Sequence, residues 1–248
     1  MEHNCLNCNL HVIDNYCHNC GQKSSVHRYS IKHFVAHDFI HGVWHVDKGI
    51  LFTLKELFTR PGNSVREFIQ GKRANYFNFV TLILVILTVS SLLSPYVHIK
   101  LADLMPGSNR SAMNSFEEFA TKYPKILIVV TIPLNSLFSF IWFRKAKLNY
   151  SENLVLNSYK AAAELTIGLV FSIFAIFYTQ TKTLALIYLA VIAPSLYIYG
   201  IWYYFQFYSA YGYSKKALFF RSILVILSYS IFQAIVGALW GMAQKLMH

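Results

Sequence analysis

Charged residues are scarce in this chain. Asp, Glu, Lys and Arg make up 13% of its 248 residues, and only 11 residues are acidic. A soluble domain carries about a quarter charged residues, so this shortage and the 55% content of hydrophobic residues predict a polytopic membrane protein. The 22 Lys and Arg residues are scattered over loops rather than gathered on one soluble module. We therefore expect membrane lipids, and no nucleic acid, as partners.

Several signatures of catalysis, transport and secretion are also missing. The chain has no nucleotide-binding glycine loop, no Ser/His/Asp arrangement and no metalloprotease HExxH motif. Its hydrophobic part shows no inverted repeat of the kind that many transporters have. The first nine residues have neither a basic nor an apolar stretch. We therefore expect no signal peptide and a cytoplasmic N-terminus.

Cysteine is confined to the first 20 residues. The two CxxC pairs are Cys5 with Cys8 and Cys17 with Cys20. Two such turns can close a tetrahedral Zn²⁺ site, which predicts a structural zinc knuckle with no open position for catalysis. Gly21 suits a positive φ, and the segment 9–16 is expected to be a hairpin that turns at Asp14-Asn15. Two disulfides are the alternative, which a reducing cytoplasm disfavours.

The pattern divides the chain into three parts. Residues 1–29 hold the knuckle and a linker, residues 30–76 hold predicted amphipathic helices at the membrane surface, and residues 77–248 hold the membrane domain. The expected fold is an all-α polytopic membrane protein with five transmembrane helices. The predicted spans are Phe77–Ser94, Pro124–Phe143, Ala161–Tyr178, Leu184–Tyr208 and Ala217–Met242. The cations that flank these spans predict a cytoplasmic N-terminus and an external C-terminus.

A histidine-rich helix is predicted to follow Ser30. Its histidines recur every four residues, at His33, His37, His41 and His45. Adjacent pairs share a helix face and could chelate an ion. However, a four-residue repeat drifts by about 40° per step, so one helix cannot bring all four to one ion. The candidates for a second metal ion or for catalysis are His37, Asp38, His41 and His45. An interfacial packing role and a pH-sensing role are the alternatives.

Two shorter amphipathic helices are predicted before the first span. Apolar residues in Ile50–Phe58 recur at helical spacing, and Pro61-Gly62 is expected to end that helix. Ser64 and Glu67 match a capping box that would open the second helix.

Polar groups next to and inside the spans are the remaining candidates. Gly71 is expected to end the second amphipathic helix and to place Lys72 and Arg73 at the membrane, either as ligands of lipid phosphate or as positive-inside anchors. Glu164 is the one acidic residue within a predicted span. Such a residue is a functional candidate, and the alternative is a structural pair with Lys160.

Weaker polar and aromatic features lie elsewhere in the spans. Asn135, after Pro133, is expected to break the second span, and Gln206 is a minor polar candidate. The segment Tyr197–Tyr213 is densely aromatic, which is typical of an aromatic belt or of helix packing.

The motifs CLNC…CHNCGQ, HDFIH…DKGILFTLKELFTRPG and REFIQGKRANYF resemble a bacterial family of small membrane proteins. That family is known as a domain of unknown function with an N-terminal zinc-ribbon-like head. The resemblance implies an inner-membrane helical bundle and no established activity. A looser likeness to five-span Yip-type proteins concerns architecture alone.

Three functions remain open at this point. A non-enzymatic protein with an interaction, membrane-organising or regulatory role would use the knuckle to bind a protein partner. A metal-dependent enzyme acting on a lipid or lipid-linked substrate would use the histidine group, with Glu164 as a further candidate. A transporter or channel component is the third, and a homo-oligomer is compatible with all three. We expect the non-enzymatic function, because a closed four-cysteine site and few intramembrane acids do not suit the other two.

Overall fold

The protein is mostly helical in a computed structural model that describes residues 3–26, 28–30, 49–99, 103, 118–119 and 122–247. The elements in this part of the chain are β1 (His3–Asn4), β2 (His11–Val12), α1 (Gly49–Thr59), α2 (Pro61–Ile69), α3 (Phe79–Leu93), α4 (Pro124–Trp142), α5 (Tyr150–Phe177), α6 (Thr181–Ile187), α7 (Ala193–Tyr208) and α8 (Lys215–Met247). A π-helical turn, Tyr188–Ile192, joins α6 to α7.

Within the described residues, four helical segments are long and apolar enough to cross a membrane. They are Phe79–Tyr96, Tyr150–Phe177, Thr181–Tyr211 and Lys215–Trp240. Val129–Trp142 is a shorter apolar helix in the region of the second predicted span. This confirms a helical membrane protein, with four such segments and a shorter one where the sequence predicted five spans. The division into parts 1–29, 30–76 and 77–248 stays a prediction.

Helix α4 runs through the position where a break was expected. Pro133 lies inside the continuous helix, and the Asn135 side-chain amide donates to the Thr131 carbonyl at 3.1 Å. The Tyr150 hydroxyl from α5 donates to the Pro133 carbonyl at 3.0 Å. The expected break at Asn135 is therefore wrong, because α4 continues through Pro133 and the Asn135 amide bonds back to its own helix.

Helix α5 begins well before the predicted span. It starts at Tyr150 rather than at Ala161, and Asn149 caps it in a capping box with Glu152. Residues 151–160 are all buried. Their Asn, Ser and Glu side chains lower the hydropathy of the stretch, but they face protein rather than lipid.

The helices α1 and α2 form a platform at one end of the bundle. We call this the head end, where α3, α5 and α8 begin and α4 and α7 end. Pro61 is in the first turn of α2, so it ends α1 and also opens α2. The Ser64 hydroxyl donates to the Arg60 and Pro61 carbonyls, each at 3.0 Å. The predicted capping box at Ser64 and Glu67 is therefore wrong, because Ser64 lies within the helix.

The platform is clamped to the C-terminal end of α7 in both directions. The Gln206 side-chain oxygen accepts the backbone N–H groups of Gly62 and Asn63 at 2.8 and 3.2 Å, which caps α2. In return, the Arg66 guanidinium donates to the carbonyls of Gln206 and Phe207 at 3.0 and 2.8 Å. Each helix thus satisfies free backbone groups of the other.

Residues of α1 are buried in a different pattern from the predicted one. Thr53, Glu56 and Leu57 are buried, whereas Leu51 is 79% exposed. The buried Glu56 carboxylate pairs with Arg60. The apolar residues of α1 thus lie on both its covered and its open side.

Candidate metal centre and its docking site

The N-terminal head consists of two short hairpins, each closed by one CxxC turn. β1 pairs with β2 in antiparallel register across the first turn, with His3 opposite Val12. An isolated bridge joins Tyr16 to Lys23 across the second turn. The expected hairpin that turns at Asp14-Asn15 is therefore wrong, because the strands pair around each CxxC turn instead.

The two turns repeat the same backbone geometry. The Asn9 N–H donates to the Cys5 carbonyl at 2.8 Å, and the Gly21 N–H donates to the Cys17 carbonyl at 2.9 Å. Asn9 has φ 62° and Gly21 has φ 71°. The predicted positive φ of Gly21 is confirmed. Asn9 is its equivalent in the first turn, and Asn is among the non-glycine residues that best tolerate this region.

The four cysteine sulfurs converge on one point. The Sγ atoms of Cys5 and Cys20 lie 3.5 Å apart, as do those of Cys8 and Cys17, and all four lie within 4.8 Å of one another. A metal–sulfur bond of about 2.3 Å in a tetrahedron requires sulfurs roughly 3.8 Å apart. The thiols are free, and their separations exceed the roughly 2.05 Å of a disulfide. The group therefore fits a tetrahedral metal ion with no open coordination position.

Local hydrogen bonds favour the thiolate form at this site. The backbone N–H of Leu10 points at the Cys8 sulfur and lowers the pKa of the Cys8 thiol to about 6, with Asn19 contributing in the same direction. Thiolates are the form that binds metal.

The head docks on the chain that leaves α2. Gly71 ends α2 with φ 112°, as the sequence predicted, and a Cβ there would lie 2.7 Å from Leu6 Cδ1 and 3.2 Å from Val26 Cγ1. Gln22, which is buried, accepts the backbone N–H of Arg73 at 3.1 Å. Gly71 therefore leaves the space that the head occupies.

A second contact, which we call the latch, joins the segment after the knuckle to the start of α5. The Arg28 guanidinium donates to both carboxylate oxygens of Glu152 at 2.6 and 2.8 Å and to the Lys147 carbonyl at 3.0 Å. Glu152 hydrogen-bonds and attracts the guanidinium, which raises the pKa of Arg28. The Asn149 amide also donates to the Tyr29 carbonyl at 2.9 Å. The residues that cap α5 thus hold the segment 28–30.

Tyr29 fills the space between the head and the platform. Its side chain is buried and stacks on Phe68 with ring centroids 6.1 Å apart. The Arg73 guanidinium lies 4.2 Å from the centre of the Tyr29 ring, in a cation–π contact. Lys72 is exposed beside it. A lipid-phosphate role for Lys72 and Arg73 stays a prediction.

The histidine group lies outside the described residues. This applies to the predicted helix after Ser30 and to His37, Asp38, His41 and His45. Their metal-binding or catalytic role stays a prediction.

Glu164 lies in α5 and pairs with Lys160. The Lys160 ammonium donates to a Glu164 carboxylate oxygen at 2.5 Å, and the two side chains are 6% and 29% exposed. The ammonium also lies 5.8 Å from the centre of the Tyr204 ring. The structural pair considered from the sequence is therefore present.

Sequence reasoning missed a buried polar network between α4, α5 and α7. The Asn153 side-chain oxygen accepts hydroxyl groups from Tyr208 and Ser139 at 2.8 and 2.9 Å. The Asn157 amide donates to the Ser139 hydroxyl at 3.0 Å and its oxygen accepts the Tyr204 hydroxyl at 2.5 Å. Buried groups paired in this way hold three helices in one arrangement.

Two other tyrosines of the membrane helices bond to the platform and to the segment that follows it. The Tyr199 hydroxyl donates to the Leu57 carbonyl of α1 at 3.0 Å. The Tyr159 hydroxyl donates to the Phe77 carbonyl before α3 at 2.8 Å. Of these two buried residues, Tyr199 belongs to the aromatic segment Tyr197–Tyr213, and its contact is of the helix-packing kind that the sequence suggested for that segment.

One of the site residues that the sequence analysis missed, Glu152, lies in a recognisable sequence pattern. Asn149-Tyr-Ser-Glu152 is the pattern of a capping box and marks the true start of α5. Arg28 had no such signal, because its partner lies 124 positions away.

These features together define a helical membrane protein with a small head that carries a candidate four-cysteine metal site. The family described as Protein of unknown function (DUF3667) matches residues 47–90, which include α1, α2 and most of α3. This similarity, which covers less than half of the chain, and the cysteine cluster support part of the resemblance seen in the sequence. No curated protein and no solved structure matches the chain. The likeness to Yip-type proteins stays a prediction.

Proposed function

We propose that this is an integral protein of a bacterial cytoplasmic membrane whose zinc-bound head is fixed on the cytoplasmic end of the helix bundle. Its role is non-enzymatic: it organises the membrane or regulates a partner. The observation that carries this proposal is the latch, because Arg28 and Tyr29 connect the cysteine head to the first turn of α5. A metal ion that folds the head would thereby act on the bundle.

The charge distribution supports the orientation. The head end carries Arg144, Lys145, Lys147, Lys215 and Lys216, all exposed. Lys and Arg accumulate on the cytoplasmic side of membrane proteins. The reducing cytoplasm would also keep the four cysteines available for metal.

The chemistry of the site supports a non-enzymatic role. Four thiolates complete the coordination of Zn²⁺ and leave no position for water or substrate. Within the described residues, the buried carboxylates Glu56 and Glu152 are both paired with arginines. Neither is available as a general acid or base in this arrangement.

Metal analysis of the purified full-length protein tests the proposal. We expect one zinc per chain. The zinc should be lost in Cys5→Ser and retained in the control Ser25→Ala, which changes an exposed residue of the head that is not a cysteine. A second metal equivalent that disappears in His37→Ala and His41→Ala, with the knuckle intact, would instead favour the metal-dependent enzyme. Retention of zinc in Cys5→Ser would contradict the four-cysteine site.

Orientation is tested separately from metal. A reporter fused after His248 is expected to be external if the chain crosses the membrane five times. A cytoplasmic reporter there, together with a cytoplasmic head, would mean an even number of crossings and would contradict the five-span topology.

A further inference from the structure

Two loops at the head end are packed into one surface. The Lys145 ammonium, from the loop between α4 and α5, donates to the Gly212 carbonyl in the loop before α8 at 2.6 Å. The Tyr213 ring lies between two cations, 5.6 Å from the Lys145 ammonium and 5.4 Å from the Arg221 guanidinium. Arg221 also donates to the Trp142 carbonyl at the end of α4. These contacts hold the loop between α4 and α5 against the start of α8, so the cations of that loop and of the first turn of α8 lie at the same end of the bundle.

This surface carries a positive charge that the described residues do not neutralise. The exposed cations are Arg144, Lys147, Lys215 and Lys216. In the part of the chain that the structure describes, none of these four forms an ion pair. The sequence has no acidic residue between Glu118 and Glu152 or after Glu164, and Glu152 already pairs with Arg28. Within the described residues, these four cations therefore have no neutralising partner.

Exposed aromatic rings lie directly beside these cations. Phe219 and Phe220 are 48% and 63% exposed. They follow Lys215 and Lys216 by four residues on α8, so each ring neighbours one ammonium group on the helix surface. A ligand that covers this surface must offer a negative group and an apolar group about one helical turn apart.

We propose that the two loops bind the headgroup phosphate of an anionic phospholipid, with its acyl chains against Phe219 and Phe220. Inorganic phosphate offers the charge but has no apolar group for the rings. Nucleic-acid bases can stack on aromatic rings, but Phe219 and Phe220 lie in a candidate membrane span, where acyl chains are the apolar groups at hand. Lys and Arg next to a membrane helix attract anionic lipid, and here the first turns of a candidate membrane span lie beside them. The inference goes beyond the proposed function, because it needs neither the metal nor a particular orientation.

Native mass spectrometry of the full-length protein in detergent tests this site. The probes are phosphatidylglycerol and phosphatidylcholine with the same acyl chains. We expect the anionic lipid to bind more tightly. The variant Lys215→Ala/Lys216→Ala should lower the affinity for the anionic lipid about 25-fold, which corresponds to roughly fivefold per cation. Arg144→Ala/Lys147→Ala tests the other loop and should have a similar effect.

A matched control separates the site from net charge. Lys55→Ala/Lys182→Ala also removes two cations, from α1 and α6, and should leave lipid binding within about twofold. An equal loss in this control, or equal binding of the two lipids, would overturn the proposal. Unchanged zinc content and unfolding midpoint would show that the variants remain folded.

The aromatic rings distinguish lipid from other phosphates. Phe219→Ser/Phe220→Ser should lower the affinity for phosphatidylglycerol at least about fivefold. The concentration of inorganic phosphate that displaces the bound lipid headgroup should not fall relative to that affinity. Inorganic phosphate or a short RNA that binds as tightly as phosphatidylglycerol would assign the surface to a soluble ligand and overturn the lipid proposal.

Discussion

Replacement of Gly62 by alanine should separate the platform from the bundle. Gly62 lies where α2 crosses α7, and a Cβ there would lie 2.2 Å from the Phe207 nitrogen, 2.6 Å from the Tyr203 oxygen and 2.7 Å from the Gln206 carbonyl carbon. All three are backbone atoms, so no rotamer change can make room. Alanine is the better helix former, but here helix α2 would have to move away.

The expected cost follows from the contacts that this movement breaks. Overpacking a core costs about 2 kcal/mol, and loss of the two hydrogen bonds from Gly62 and Asn63 to Gln206 adds about 1 kcal/mol each. We therefore expect Gly62→Ala to lower the free energy of unfolding by about 4 kcal/mol, measured by denaturant titration of the detergent-solubilised protein.

Gly168 provides the control for Gly62. It lies in α5 with no atom within 4 Å of its Cβ position. Gly168→Ala should be neutral or should stabilise by up to about 1 kcal/mol. If Gly62→Ala unfolded at the same denaturant concentration as Gly168→Ala, the close crossing of α2 and α7 would be refuted.

Two further predictions concern the ion pairs. Arg28→Ala removes a charged hydrogen-bond partner of Glu152, worth about 2 kcal/mol. The rate of amide hydrogen exchange of residues 28–30 should therefore rise about 30-fold. The control Lys23→Ala also removes one positive charge. If Arg28→Ala exchanged no faster than this control, the latch would be contradicted. Glu164→Gln leaves the buried Lys160 ammonium unpaired, so we expect a loss of about 3 kcal/mol in unfolding free energy. Adding Lys160→Met should recover most of it, and a double variant as unstable as Glu164→Gln would argue against the pair.

The head was predictable because its information is local. The CxxC spacing fixes two sulfurs on one turn, and the structure brings all four together. Gly21 and Gly71 were both placed correctly at turns, and both have positive φ. Each of these features depends on a few adjacent residues.

The polar start of α5 was not predicted, because a hydropathy scale scores the transfer of each side chain from water to lipid. It takes no account of hydrogen-bond partners that the protein itself supplies. Asn153 and Asn157 lower the hydropathy of this stretch, yet their partners are Ser139, Tyr204 and Tyr208 in neighbouring helices. No sequence window contains those partners. The same holds for other contacts between distant residues, such as the clamp between α2 and α7.

The length of α5 places the edge of the membrane. Its 28 residues rise by about 42 Å at 1.5 Å each, whereas the hydrocarbon core is about 30 Å thick. Burial is concentrated at its start, in residues 151–160, while Val170 and Phe177 are 62% and 84% exposed near its end. With the exposed end of α5 at the far edge of the hydrocarbon, its first two turns lie outside it, enclosed by α1, α2, the end of α4 and the end of α7. Lys160 and Glu164 then lie near the edge of the hydrocarbon. The latch is on the aqueous side of that edge, with the Glu152 carboxylate buried in protein, so the head reaches α5 without entering the membrane.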